Sequence, residues 1–443
     1  MRLRWAMGLG LAWAMASCLA SCAGAPRNPV PLALESQATV VGMGSSPIRY
    51  WGDQLPPNAD EMVKEKWAQV RATRPQMLAK GSRPVVNLLA ISGGGSDGAF
   101  GAGVLNGWTA SGKRPEFEVV TGVSTGALTA PFAFLGPRYD PALKAVFTTS
   151  TTSDIAIAQP VRGLIGGDAL SSNAPLAGVI ASYVTMDFMK EVAAEQRKGR
   201  RLLIGTTNLD AQRPVIWDMG QIATIGTPEA LDLFRKVLLS SAAIPAVFPP
   251  GFIKVDADGS IYDEMHVDGG ATREVFLLPT QFTAKSAAAL TGVNPVRRIF
   301  IIRNGRVAPE WKEVKPRTLS IAGRAVSTLI KNQGIGDLYE LYEFGKRNGA
   351  DYNLAVIPGD FPDTSTSAFD PKYMTALFDL GFSKAKAGYP WRKVPPRLGE
   401  TTHQATHIPA ARPNPKPPAE PNISSAPDAG GGTEPAPQAA SYY

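Results

Sequence analysis

Val85-Val86-Asn87-Leu88-Leu89-Ala90-Ile91 runs into Ser92-Gly93-Gly94-Gly95-Ser96-Asp97-Gly98 and then into Ala99-Phe100-Gly101-Ala102-Gly103-Val104-Leu105-Asn106-Gly107-Trp108. The first run is apolar at every position but one, as a strand buried on both faces requires. In the third, Ala99, Phe100, Ala102, Val104, Leu105 and Trp108 are spaced to cover one side of a helix. Strand, glycine turn and helix form one unit, and the pattern continues outward from it. Further strand candidates are Phe117 to Thr121, Leu202 to Thr207, Val215 to Asp218 and Ile299 to Arg303, with helical spacing between several of them. Leu231, Phe234, Val237 and Leu238 give one such helix, which Pro245 stops. This alternation predicts an α/β domain whose central sheet is largely parallel and flanked by helices. Asp258-Gly259 between Phe252-Val255 and Ile261-Val267 predicts a hairpin. A helical stretch from Leu319 to Phe344, interrupted at Gly334 and Gly336, is expected to pack beside the core.

The chain has 443 residues, 44% of them hydrophobic and 19% charged, enough for one large domain with appendages or for two domains. Its net charge of +7 is spread thinly, and no run of Lys and Arg is dense enough to follow a phosphate backbone, so nucleic acid is not expected as a partner. The beginning sets the expected compartment. Arg2 and Arg4 precede a short apolar stretch from Met7 to Met15, the build of a secretory signal too short to span a bilayer. Leu19-Ala20-Ser21-Cys22 resembles the bacterial lipobox, in which Cys22 becomes the lipid-modified first residue. A multi-chain lipid there would anchor the protein stably to a membrane of the bacterial cell envelope. Ala23 leans towards the outer membrane by analogy with Gram-negative sorting. Cys18 would leave with the signal, so neither an intrachain disulfide nor a cysteine metal cluster is expected, and no cofactor is called for.

The expected organisation is therefore a signal at 1–21, a tether and lead-in segment at 22–84 with a helix around Glu61 to Val70, and a catalytic domain at 85–285. An extension at 286–393 packs on the core. A tail at 394–443 holds eleven prolines and no Phe or Trp, too little apolar surface to offset the cost of ordering it.

Gly122-Val123-Ser124-Thr125-Gly126 follows one strand candidate and precedes the apolar stretch Ala127-Leu135. That is the setting of a nucleophile elbow, a sharp turn whose glycines Gly122 and Gly126 permit close backbone approach and present the serine oxygen at the sheet edge. The turn Gly93 to Gly98 also fits the spacing of a dinucleotide fingerprint, but the acidic residue that should end the next strand is replaced by the serine elbow, and Glu116 and Glu118 lie at that strand's start. As an oxyanion region it meets no such conflict: amides of Gly93, Gly94, Gly95, Ser96, Asp97 and Gly98, with that of Thr125, are candidates to hold a negative oxygen. A serine needs a base. Of the three histidines, His403 and His407 fall in the tail, and His266 stands beside Asp268 on one strand, where the two are poorly arranged to act in line on a serine, so it is read as structural. Asp268, followed by Gly269 and Gly270, is the strongest remaining base.

These elements together resemble the patatin-like phospholipase family, over about Leu88 to Phe282. In that family a glycine-rich oxyanion turn, a G-x-S-x-G serine and a D-G-A/G aspartate occur in this order, and Ser240 to Pro250 looks like its block between serine and aspartate. The resemblance implies a three-layer α/β fold, Ser124 as nucleophile, Asp268 as base in a Ser-Asp dyad, the 93–98 turn as oxyanion region, and a lipid or acyl-ester substrate in lipid metabolism or breakdown. This sequence departs from the family at Asp97, where members often carry Arg or Lys. An anion there would disfavour an anionic head group, and Arg273 is a candidate substitute cation. Two alternatives remain at this point: an envelope lipoprotein that keeps the fold as a scaffold without catalysis, and an esterase or thioesterase acting on small acyl donors. Oligomeric state is not legible.

Overall fold

The computed structural model describes residues 27–44, 47–79, 81, 83–158 and 169–398. The signal segment, Cys22 and the tail from 399 onward, with His403 and His407, lie outside the described residues. Ten strands form one sheet: β1 (Thr39–Val40), β2 (Arg49–Trp51), β3 (Val85–Ile91), β4 (Val119–Val123), β5 (Arg201–Asn208), β6 (Arg213–Asp218), β7 (Gly251–Ala257), β8 (Ser260–Asp268), β9 (Val296–Arg306) and β10 (Ala350–Ile357). The five strands β5-β4-β3-β9-β10 are mutually parallel and make the centre. Antiparallel strands complete one side, with β6 and β8 on β5, β2 on β6, β7 on β8 and β1 on β7.

The helices used below are α1 (Ala59–Thr73), α2 (Gly98–Ala110), α3 (Thr125–Leu135), α4 (Ala174–Tyr183), α5 (Pro228–Ser241), α6 (Ala284–Thr291), α7 (Thr318–Arg347) and α8 (Pro371–Lys386). The sheet is mixed and mostly parallel at its centre, with helices on both faces, as the alternation of patterns predicts. Alternate side chains of β3 enter different cores: Leu89 and Ile91 pack with Phe100 of α2 and Phe378 of α8, while Leu88 and Ala90 pack with Trp67 of α1 and Phe344 of α7. That division explains why β3 reads as continuously apolar.

The hairpin turns at Asp258 and Gly259, with φ of 51° and 72°, the left-handed pair that an Asp-Gly turn supplies. Three features differ from the expected outline. First, α7 continues unbroken through Gly334 and Gly336. Gly334 answers to packing, because a Cβ there would come within 2.5 Å of the Arg303 guanidinium. Second, residues before 85 supply β1, β2 and α1, and residues after 285 supply β9, β10, α7 and α8, so both flanks are built into the same sheet and its covering layers. Third, Pro395 and Pro396 are buried, and the Pro396 carbonyl accepts a hydrogen bond from Tyr339. Among the described residues no helix is long and apolar enough to cross a membrane.

Candidate active site

The register of β5 assembles the site. On one edge β5 pairs first with β4, ending at Val123 opposite Gly205, and then with β8, where Asp268 lies opposite Thr206. The ends of β4 and β8 thus meet along a common template, and the residue after Val123 is Ser124. The Ser124 hydroxyl hydrogen-bonds the Asp268 carboxyl. Asp268 Oδ1 also accepts from Gly270 N–H at 2.8 Å, and the Asp268 N–H donates to the Ala243 carbonyl at 2.9 Å. Both side chains are nearly buried, at 6% and 4% exposure, so the pair meets in a largely dehydrated place. Burial pushes the Asp268 carboxyl up to about 6, against the hydrogen bonds from Ser124 and Gly270.

Ser124 sits at φ 55°, ψ −125°, a conformation that non-glycine residues adopt only when their surroundings impose it. The surroundings are close. A Cβ on Gly126 would lie 2.2 Å from the Ile91 carbonyl oxygen, and one on Gly122 would lie 2.3 Å from the Gly126 carbonyl oxygen. The Ser241 hydroxyl pins the turn from the other side, accepting from Ser124 N–H at 3.0 Å and donating to the Gly205 carbonyl at 2.7 Å. Ser241 belongs to the Ser240 to Pro250 block, and this pair of hydrogen bonds ties that block to the elbow.

Beside Ser124 lies the glycine turn, followed at once by α2. Gly93 N–H is engaged with the Glu274 carbonyl, Asp97 N–H with Gly94 and Gly98 N–H with Gly95. Gly94, Gly95, Ser96 and Thr125 N–H have no acceptor among the described residues. Thr125 Oγ1 donates to the Gly95 carbonyl at 2.9 Å and holds this turn against the start of α3, whose N-terminus favours negative charge. Gly94 is pressed on Asn304, whose carbonyl oxygen would lie 2.0 Å from a Cβ. The Asn304 side-chain oxygen accepts from Gly101 N–H, and the Asn304 N–H donates to the Ser92 hydroxyl, which fixes the strand-to-turn junction.

The Asp97 carboxylate takes the Tyr373 hydroxyl of α8 at 2.7 Å, and burial pushes it up to about 6 against that bond and the charge of Arg306. Its charge is thus already engaged by Tyr373 and by Arg306, which itself contacts the Tyr373 hydroxyl at 3.3 Å. Arg273 is ion-paired with Glu340 of α7. The His266 ring is fully buried, with Nε2 3.0 Å from Glu264 and Nδ1 2.9 Å from Thr206, so it ties β8 to β5 through its side chain.

Two residues that the sequence does not single out stand behind the site. Glu274 Oε1 would lie 2.9 Å from a Cβ on Gly93, and Oε2 would lie 2.5 Å from one on Gly270, so its carboxyl fills the space under both glycine motifs. Arg303 approaches it at 3.1 Å. Burial pushes the Glu274 carboxyl up to about 7, Arg303 opposes this, and the charges of Asp268 and Asp337 add to it. An apolar cavity opens from Ser124 over α3, lined by Leu128, Phe132, Leu176, Ile180, Leu238 and Phe248 among others. Among the described residues no cluster of acidic, His or Cys side chains is arranged to hold a metal.

Residues 89–280 match the family model described as patatin-like phospholipase. No curated protein matches the chain. Among solved structures, that of VipD from Legionella pneumophila is similar over 67% of this chain and 67% of that one, at 11% identity and a TM-score of 0.33.

Proposed function

We propose that this chain is a lipid acyl hydrolase acting on ester bonds, a reading that the match of residues 89–280 to the patatin-like phospholipase model supports, and that catalysis runs through Ser124 and Asp268 as a dyad with no imidazole between them. The observation that carries this reading is the meeting of β4 and β8 along β5, which sets hydroxyl against carboxyl. Asp268 accepts the Ser124 proton as the oxygen attacks the ester carbonyl. The free amides of Gly94, Gly95, Ser96 and Thr125 receive the oxyanion. The tetrahedral adduct collapses, the alcohol leaves with the proton from Asp268, and the acyl group stays on Ser124. Water then gives its proton to Asp268, attacks the acyl carbonyl, and the carboxylic acid is released while Ser124 regains its proton. The acyl chain lies in the apolar cavity over α3, and its lining favours a hydrocarbon chain over a short polar acyl group. A fluorophosphonate probe is expected to add one phosphonyl group to the chain, as read by intact mass, and to leave Ser124→Ala untouched. Equal labelling of both would remove Ser124 from this role.

The pH dependence follows from Asp268. Only its ionised form accepts a proton, so kcat/KM on a neutral ester is expected to fall about tenfold per unit below an apparent pKa near 6 and to level off above it. Glu274, pushed up to about 7, is largely protonated where Asp268 titrates, so Glu274→Gln is expected to leave this acid limb in place. A limb at the ordinary aspartate position in the parent, or one moved by a full pH unit in the variant, would contradict the assignment. The same proposal includes a lipid anchor on Cys22 at the outer membrane. Cys22→Ala is expected to move most of the protein from the membrane pellet to the soluble fraction, and unchanged sedimentation would refute the anchor.

A further inference from the structure

A second cavity lies on the other face of the sheet, near the strand ends remote from Ser124, and shares no lining residue with the catalytic cavity. Its volume is about 160 Å³. Its floor is Leu88, Val119 and Leu203 of the sheet, its roof is Val63 and Trp67 of α1, and Phe282 and Phe344 close one flank. The α1 roof belongs to the lead-in segment, whose sequence suggests no chemistry.

The polar groups on the wall are unbalanced. Asp218, the one carboxylate, accepts from Gln221 N–H at 2.9 Å and from Gln196, and stands 3.8 Å from Arg201 Nε. Arg201 also donates to Gln69 and to the carbonyls of Gln196 and Arg200, and Arg297 donates to Asn294 and Pro295. Lys66 has no hydrogen-bond or ion-pair partner among the described residues. Its nearest opposite charge, Glu118, is held by both guanidinium nitrogens of Arg74 at 2.8 and 2.7 Å. Burial therefore brings the ammonium down to about 8, with Glu118 opposing and the neighbouring arginines adding to the effect. An apolar cavity whose wall carries one ammonium without a polar partner, beside an Arg297 that meets only neutral oxygens, fits an amphiphile with a single negative head.

We propose that this cavity binds a long-chain carboxylate, its head on the Lys66 ammonium and its chain between α1 and the sheet. Such an acid is what ester cleavage at Ser124 would release, but the site is built from other residues and its occupancy does not depend on turnover. The test uses the full chain carrying Ser124→Ala and a 12-carbon carboxylate with a terminal diazirine. After irradiation, peptide mass spectrometry is expected to place adducts within 59–67, 278–287 or 344–350. Adducts confined to 128–188, or an absence of saturable adducts, would overturn the proposal. Lys66→Met is expected to weaken laurate binding at least about tenfold and to leave dodecanol binding unchanged, while Lys66→Arg keeps both, with unchanged melting of each variant confirming the fold. Equal laurate affinity in Lys66→Met would also overturn it. Adducts at the second cavity with no fluorophosphonate labelling of the parent would retain this site and reject the dyad. Labelling of Ser124 with no such adducts would do the reverse.

Discussion

Ser124→Ala is expected to reduce ester turnover by about 10⁴-fold or more, and Asp268→Asn by a similar factor, because a dyad loses nearly all of its function with either member. The residual rate in each would come from the free amides and the bound substrate. The double variant is expected to be no slower than the worse single one, since the two groups act as a unit. Stability separates loss of chemistry from loss of fold. In the folded protein Asp268 is pushed up to about 6 from its ordinary 3.8, chiefly by burial, so its ionisation opposes folding. The penalty is absent below pH 4, grows between pH 4 and 6, and reaches about 3 kcal/mol above that. Asp268→Asn removes it and is expected to melt at or above the parent temperature at pH 8. A variant that retains more than about a tenth of parent turnover, with its fold intact, would end the dyad reading.

Gly126→Ala is the second large effect. The added methyl would lie 2.2 Å from the Ile91 carbonyl oxygen and 2.7 Å from that of Ser92, both backbone atoms at the end of β3 that cannot swing aside. Either α3 must shift or β3 must, and both carry the site. A cost of about 3 kcal/mol in denaturant unfolding is expected, at the upper end for an overpacked position, with activity lost even at temperatures where the variant stays folded. Ala127→Gly, one residue along, serves as the comparison: it removes a buried methyl and is expected to cost about 1 kcal/mol with the turn intact. Similar losses in both would mean that the tight contact under the elbow has no special importance.

What the sequence makes legible is whatever a short stretch must do for itself. The run from Val85 to Ile91 has to be buried on both faces, Asp258-Gly259 has to turn, and Gly122 to Gly126 has to fold sharply between strand and helix, so each announces its structure in its own residues. The pairing of Ser124 with Asp268 is inferred from the sequence by elimination and by resemblance, since nothing local indicates that β4 and β8 end on neighbouring residues of β5. Glu274, Arg303 and Asn304 are silent for the same reason. Each is an ordinary polar residue until distant segments bring it under the glycines. The helical break expected at Gly334 fails instructively: propensity disfavours glycine there, but the Arg303 side chain occupies the space a methyl would need. The lead-in segment is misleading in the opposite direction, because its Pro and Gly content hides two sheet strands and the roof of a cavity.

The seam between β8 and β5 is three residue pairs long, from His266 opposite Asn208 to Asp268 opposite Thr206. Those few rungs hold Asp268 in reach of Ser124, while the five parallel strands that give the domain its bulk are completed without them. A chain frayed at this short zipper would therefore carry an intact-looking sheet while Ser124 and Asp268 stand apart. On the proposed mechanism, ester cleavage waits on the closing of these rungs.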